Sequence, residues 1–300
     1  MHDDQLSIDE HLVRELVAAQ FPRWAGLPIS RVEGDATVNA IFRIGDDLAA
    51  RLPLRAHAVV DVDAWLRAEA AALDEFADAS PFPAPRPVAL GAPGRGYPLP
   101  WAVQTWLPGT VATPDGLADS TDLADDLGAL IASLRAAPTR DRTFAGEGRG
   151  GDLRDHDDWM ATCFRESERL LDVPALRGRW RALRALPRGG PDVMAHGDLH
   201  PANLLVRGDR LAGVLDAGGF GPADPALDLV AAWHLCEPPT RERIRDRLGS
   251  DDVEWARGAA WAFVQSMGLV WYYRASNPGM SRLGRGTLER IMSDPFVGAL

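Results

Sequence analysis

Three oxygen-bearing side chains set the chemical question. Residues 194–206 read MAHGDLHPANLLV and residues 211–218 read LAGVLDAG. Asp198 and Asn203 lie five residues apart on one polar loop, and Asp216 ends a strand one hairpin later. The turn Arg207-Gly208-Asp209-Arg210 folds the strand at 211–215 back beside the strand at 204–206, so Asn203 and Asp216 can face one point. Asparagine and aspartate oxygens without soft ligands suit Mg²⁺. Asp198 stays outside that pair, where a carboxylate suits a substrate hydroxyl about to attack a phosphate. Two other readings stand beside this one. His196 and His200 could hold zinc with Asp198, although Gly197 and Pro201 break the helix that a His-x-x-x-His pair prefers. Or the cluster is only a polar turn before a strand.

Several elements must position these groups. Residues 9–20 have helical spacing, with Leu12, Leu16 and Val17 on one face. Strands are expected at 29–33, 40–44 and 48–52, an antiparallel meander around a small-residue loop that runs from Gly34 through Thr37 to Asn39. A helix follows, its apolar stripe formed by Val62, Trp65, Leu66, Leu73 and Phe76. Glu69 falls on that stripe, and a carboxylate on an inward face needs a cationic partner. Residues 80–100 read as a Pro/Gly-rich connection, and 101–109 as a last strand ending at Pro108-Gly109. Beyond it, Ser120 or Thr121 caps a helix whose inward residues are Leu123, Leu127, Leu130, Ile131 and Leu134. Residues 152–186 and 225–236 look helical, and 252–275 form a helix apolar nearly all round. The pattern is α+β: a small β-rich N-lobe over residues 1–106 and a larger, mainly helical C-lobe over 107–300.

Composition narrows the function. The chain has 300 residues, 46% hydrophobic and 25% charged, so a folded globular protein is expected. No apolar run is long enough for a membrane helix. The acidic N-terminus lacks the apolar segment of a secretory signal. Only Cys163 and Cys236 occur, read as buried small hydrophobes in a cytoplasmic protein. A net charge of −11 argues against a nucleic-acid partner and would draw in cationic small molecules. Lysine is absent, and all 32 basic residues are arginine. A Walker-type phosphate loop and a Schiff-base lysine are therefore excluded, and any cation holding a phosphate is an arginine or a metal.

The run H-x-D-x-x-x-x-N followed by D-x-G resembles the catalytic loop and metal segment of protein kinases. In the form HGDLHPANLLV…GVLDAGG, with GFGPADPALDL after it, it looks more like the aminoglycoside phosphotransferase family of small-molecule kinases. The resemblance covers residues 30 to 236 and implies a bilobal kinase-like fold using ATP and Mg²⁺. It also implies roles. Asp198 would be the catalytic base or orient the substrate hydroxyl, and Asn203 and Asp216 would hold Mg²⁺. Arg51 would contact phosphate with Glu69 as its ion-pair partner. The loop carrying Gly34, Thr37 and Asn39 would cover the phosphates, and residues 104–107, with Gln104 and Trp106, would meet adenine. Asp228 would brace the catalytic loop and His196 would be structural. Asp224 and His200 are candidate acceptor contacts, Asp224 having the plainer reading of a helix cap. Asp157, Asp158 and Glu237 could line a cationic pocket, solvated surface being the plainer reading.

This chain departs from the family pattern in three places. Arg51 replaces the usual lysine, keeping the charge on a longer, planar group. Ala217 stands where an aromatic residue usually follows the metal aspartate. The phosphate loop has one glycine, Gly34. The expected reaction is transfer of the ATP γ-phosphate to a hydroxyl of a cationic antibiotic, an aminoglycoside first and a macrolide next. Metabolic acceptors such as homoserine, choline or a sugar are the enzyme alternative, and a nucleotide-binding pseudokinase is the non-enzyme one. No membrane or obligate protein partner is expected.

Overall fold

A computed structural model describes residues 6–32, 39–54 and 62–300. Gly34 and Thr37, expected over the phosphates, lie outside the described residues. The chain divides into two compact units, Met1–Asp78 with Pro83–Pro108, and Ala79–Phe82 with Gly109–Leu300.

The first unit opens with α1 (Glu10–Gln20), capped where Asp9 Oδ1 accepts from Leu12 N at 2.8 Å. Then come β1 (Ile29–Arg31), β2 (Asn39–Ile44), β3 (Leu48–Pro53), α2 (Val62–Ala79), β4 (Pro87–Gly91) and β5 (Trp101–Thr105). The strands make one antiparallel sheet in the order β1-β2-β3-β5-β4. Val13, Leu16 and Val17 of α1 join Phe42, Ile44, Leu52 and Trp101 in a sealed apolar cluster. The expected connection at 80–100 holds a strand after all. β4 sits at the sheet edge and begins at Pro87, where the missing N–H costs no ladder bond, and its register shifts just after.

The second unit contains β6 (Thr110–Val111), α3 (Thr121–Ala136), α4 (Asp157–Ser167), α5 (Val173–Leu183), β7 (Val193–Ala195), β8 (Leu204–Arg207), β9 (Arg210–Val214), β10 (Gly221–Ala223), α6 (Val230–Leu235), α7 (Pro238–Leu248), α8 (Asp252–Tyr272), α9 (Pro278–Ser293) and α10 (Pro295–Gly298). β6, β8 and β9 form one small sheet, and β10 and β7 another. α8 is buried continuously from Trp255 to Val270, as its all-round apolar sequence predicts, with α4, α5, α6 and α9 packed against it. The helical stretch at 152–186 divides into α4 and α5. The helix expected at 225–236 shortens to a 3₁₀ turn at Leu227–Leu229 and α6. α7 and α9 begin at Pro238 and Pro278, first-turn positions where proline loses nothing but which read as breakers in sequence. No helix of the described residues is long and apolar enough to cross a membrane.

Candidate active site

The hairpin forms as its sequence predicts. β8 and β9 pair antiparallel from Leu204↔Val214 to Arg207↔Arg210. One step beyond the ladder, Leu215 N donates to Asn203 O at 2.8 Å, tying the two chain segments that carry Asn203 and Asp216. α3 anchors this hairpin through Asp126, which is buried. It accepts two bonds of 2.7 Å from the Arg210 guanidinium and one of 3.0 Å from Leu211 N.

The loop between β7 and β8 is fixed from beneath. Asp228 is 3% exposed and accepts from His196 N at 2.7 Å and Gly197 N at 3.0 Å, the bracing expected of it. Gly197 has φ +83°, a turn that a side chain would strain. His196 is sealed in the interior. Its Nε2 lies 2.9 Å from Leu215 O, which can only accept, so Nε2 carries the proton and Nδ1 accepts from Asp198 N at 3.2 Å. A ring with both nitrogens so engaged is scaffold, and the zinc reading of His196 falls. Among the described residues no group of three or more His, Cys, Asp or Glu side chains is placed to hold a metal. Burial pushes the Asp228 carboxyl up, against the pull of His196 and the two N–H groups.

Asp198 emerges from this frame with its side chain 39% exposed. Its Oδ1 accepts from Gln265 Nε2 at 2.7 Å and from Arg149 Nη2. Its Oδ2 faces His200 Nε2 at 3.5 Å, beyond hydrogen-bond length. Burial pushes the Asp198 carboxyl up, but Arg149, the His200 contact and His196 outweigh it and hold it below the usual carboxylate range. Gln265 is itself backed by the fully buried His234, whose Nε2 lies 3.0 Å from Gln265 Oε1 and whose Nδ1 lies 2.8 Å from Thr287 Oγ1. Burial pushes the His234 imidazole down to about 3.

The donor atoms of Asn203 and Asp216, an amide oxygen and a carboxylate, are of the kind a hard cation takes. Asn203 is nearly buried and spends its amide nitrogen on Asp198 O at 2.9 Å, leaving Oδ1 as the atom for a metal. Asp216 is exposed and adopts a left-handed backbone, φ +58° and ψ +40°. Aspartate tolerates that region better than most residues, and such strain concentrates at functional sites. All the donors are oxygen, as Mg²⁺ requires.

In the first unit, Arg51 of β3 and Glu69 of α2 approach to 3.9 Å, with side chains 12% and 19% exposed. They line a cavity of about 210 Å³ together with Leu66, Leu73, Ala102 and Gln104. The inward Glu69 thus has the cationic neighbour its position demands. Asn39 starts β2, buried, opposite Pro53. Trp106 is half-buried, with its backbone N–H donating to Asp47 O at 2.7 Å.

One candidate acceptor contact is overturned. Asp224 is 1% exposed and enclosed by Arg257, by Trp261 Nε1 at 2.9 Å and by Ala226 N at 3.0 Å, so no acceptor reaches it. His200 keeps its place beside Asp198. Asp157 is engaged by Arg184 and Trp180, and Glu237 by Arg290. Arg149 and Gln265 were not singled out in the sequence. The signal for Arg149 was legible, a lone cation in the glycine-rich run GEGRGG of a lysine-free chain. Gln265 gave none, being one polar residue within a buried helix.

A model of the phosphotransferase enzyme family matches residues 28–261. An aminoglycoside 3'-phosphotransferase of Escherichia coli is 34% identical over 79 residues, 25% of this chain and 29% of that protein. Among solved structures, the GDP complex of aminoglycoside 2'-phosphotransferase-IIIa covers 94% of this chain and 98% of its own, with a TM-score of 0.69 at 18% identity. The macrolide 2'-phosphotransferase of Brachybacterium faecium covers 92% and 97%, with a TM-score of 0.60 at 22% identity. These likenesses show the same α+β kinase-like fold. The chain belongs to the phosphotransferase enzyme family.

Proposed function

We propose that this member of the phosphotransferase enzyme family moves the γ-phosphate of ATP to a hydroxyl of a cationic antibiotic of the aminoglycoside class. The observation that carries the reading is the Asp198 carboxylate, locked at Oδ1 and held more loosely at Oδ2, 3.5 Å from His200, on a loop bonded to the Asn203–Asp216 hairpin. In the transfer, the acceptor oxygen bonds to phosphorus and the bridging P–O bond breaks, its electron pair leaving with ADP. Asp198 Oδ2 orients the hydroxyl and takes or passes on its proton. A carboxyl held below its usual range is a weak base, so orientation is its larger contribution. Asn203 Oδ1 and Asp216 would hold Mg²⁺, which supplies charge neutralisation on the phosphates. The first unit's share is Arg51, steadied by Glu69, on the non-transferred phosphates. Arginine can do this bidentately.

Two features support the acceptor class. The net charge of −11 favours a polycation. The aligned Escherichia coli relative is itself named for an aminoglycoside, although the alignment spans under a third of its length. Turnover of ATP and of GTP should be measured over a panel of aminoglycosides, macrolides, homoserine, choline and sugars. Saturable transfer to an aminoglycoside, lost in Asp198→Ala, is expected. Preference for a macrolide or a metabolite would replace the acceptor class. A Mg²⁺-nucleotide thermal shift without turnover on any acceptor would replace the enzyme with a binding module.

A further inference from the structure

One loop of the second unit carries a cation that the roles above leave unused. Residues 146–151 read Gly-Glu-Gly-Arg-Gly-Gly. Its far side is anchored. Gly150 O accepts from Asp224 N at 2.8 Å. Gly150 has φ +120°, and a Cβ there would come within 2.7 Å of Ala223 Cβ. Asp224, the anchor, is clamped by Arg257 and Trp261. The position is thus specified as glycine on two grounds, conformation and close approach. The residue just before it is delivered from a fixed backbone.

That residue is Arg149. Its Nη2 donates to Asp198 Oδ1 and, at 3.3 Å, to Gly197 O. Its Nε and Nη1 have no hydrogen-bond partner among the described residues, and the side chain is 28% exposed. Arg149 and Gln265 together occupy Oδ1, so the acceptor hydroxyl meets Oδ2. The attacking oxygen then lies one hydrogen bond, roughly 2.7 Å, from Oδ2. The guanidinium lies one hydrogen bond from Oδ1 of the same carboxylate. A phosphorus atom being attacked by that oxygen therefore comes near the guanidinium, whose Nε–H and Nη1–H groups are open. A charged N–H donor to a phosphate oxygen makes a strong hydrogen bond, and it adds most where charge develops in a partly dry site. No lysine exists to do this instead.

We propose that Arg149 is a catalytic residue whose open Nε–H and Nη1–H groups donate to the equatorial oxygens of the phosphoryl group during transfer. This rests on the phosphotransferase reading above. The bond changes are those already given: the acceptor oxygen gains phosphorus, the nucleoside diphosphate leaves with the bridging electron pair, and the proton goes by way of Asp198 Oδ2. Arg149 exchanges no atoms. Its pairing with Asp198 in the absence of substrate keeps the guanidinium aimed at the place where the phosphoryl arrives.

The test is steady-state kinetics of Arg149→Ala and Arg149→Lys with the best acceptor from the panel, and a thermal melt of each. In Arg149→Ala, kcat should fall about 10³-fold, with KM for nucleotide and for acceptor moving less than about threefold. Added guanidinium ion should restore part of that kcat, and Arg149→Lys should lie between the two. A counter-ion that only steadied the loop would instead lower Tm or raise KM, with no guanidinium rescue. Wild-type kcat in Arg149→Ala, a change confined to KM, or a loss shared equally by Arg149→Lys and insensitive to guanidinium would each overturn the role. Wild-type protein inert towards every acceptor would overturn the phosphotransferase reading itself, which is a different result from an active wild type with an indifferent Arg149.

Discussion

The Asp198 loop of the second unit and the Arg51–Glu69 pair of the first differ in how closely their groups bond to one another. Around Asp198, the side chain and nearby backbone groups are fixed by Asp228, His196, Gln265 and Asn203, with bonds between 2.7 and 3.2 Å. Arg51 and Glu69 lie 3.9 Å apart in the lining of a cavity, close enough for attraction and too far for a hydrogen bond to each other. The contrast fits the roles proposed for the two groups. A carboxylate proposed to aim a hydroxyl would work only in one orientation, and the bonds around Asp198 set its geometry without substrate. For Arg51, proposed to meet phosphate, a tighter pair with Glu69 would compete with that ligand.

The sharpest way to break the comparison is at Asp198. Asp198→Ala should lower kcat by about 10³-fold or more, while Mg²⁺-nucleotide binding, read as a thermal shift, is retained. Near-normal turnover would mean that the order around this carboxylate serves stability alone. Next in size is Asp228→Ala, which orphans the His196 and Gly197 N–H groups in the interior. A loss of about 3 kcal/mol in urea unfolding is expected, with Asp228→Asn recovering part of it by returning one acceptor oxygen. A change below about 1 kcal/mol would show that water replaces the carboxylate and that the loop is less rigid than its bonds suggest.

How legible each region was in sequence follows the same division. Asp198, Asn203 and Asp216 could be read because their spacing along a loop and a hairpin is local. The register Leu204↔Val214 then does what the turn residues promise. Glu69 could be read because a carboxylate on an apolar stripe is a local contradiction that only a distant cation resolves. Gln265 could not be read. It is 67 residues from Asp198 along the chain, and only the path of α8 brings its amide to that carboxylate. For Asp224 the plainer, structural reading holds and the acceptor contact falls, although its chief partners, Arg257 and Trp261, are too distant in sequence to be read from an Asp-Pro at a loop end. β4, α7 and α9 were missed for one reason: proline at the first position of an edge strand or a helix is harmless, yet in sequence it marks a break.

His234 offers a graded way to loosen the ordered side. Its imidazole is buried and its pKa lies at about 3, below the ordinary value near 6.5. Between those limits the unfolded chain binds a proton that the folded chain does not, so acid favours unfolding. Stability is fully present above about pH 6.5 and should fall by up to about 1.4 kcal/mol per pH unit below it. In His234→Gln that share of the slope should vanish. Urea midpoints of both proteins at pH 7, 6 and 5.5 measure the difference. Parallel slopes would mean that His234 is not the acid-sensitive support behind Gln265.

The smallest effect is expected on the loose side, and it sharpens the contrast most. Glu69→Gln keeps the shape of the side chain and removes its charge. The pair is partly exposed and 3.9 Å apart, so stability should change by less than about 1 kcal/mol. The functional effect has a different form from that at Asp198. If Glu69 only steadies Arg51 for the non-transferred phosphates, the loss is uniform binding: KM for ATP should rise a few-fold with kcat nearly unchanged. A large fall in kcat would mean that Arg51 also acts on the transferring phosphate and that its geometry is as demanding as that of Asp198. A large loss of stability would mean that the pair closes into a true hydrogen-bonded salt bridge in solution. Either result would remove the difference in order between the two regions, and only a KM effect at near-wild-type stability preserves it.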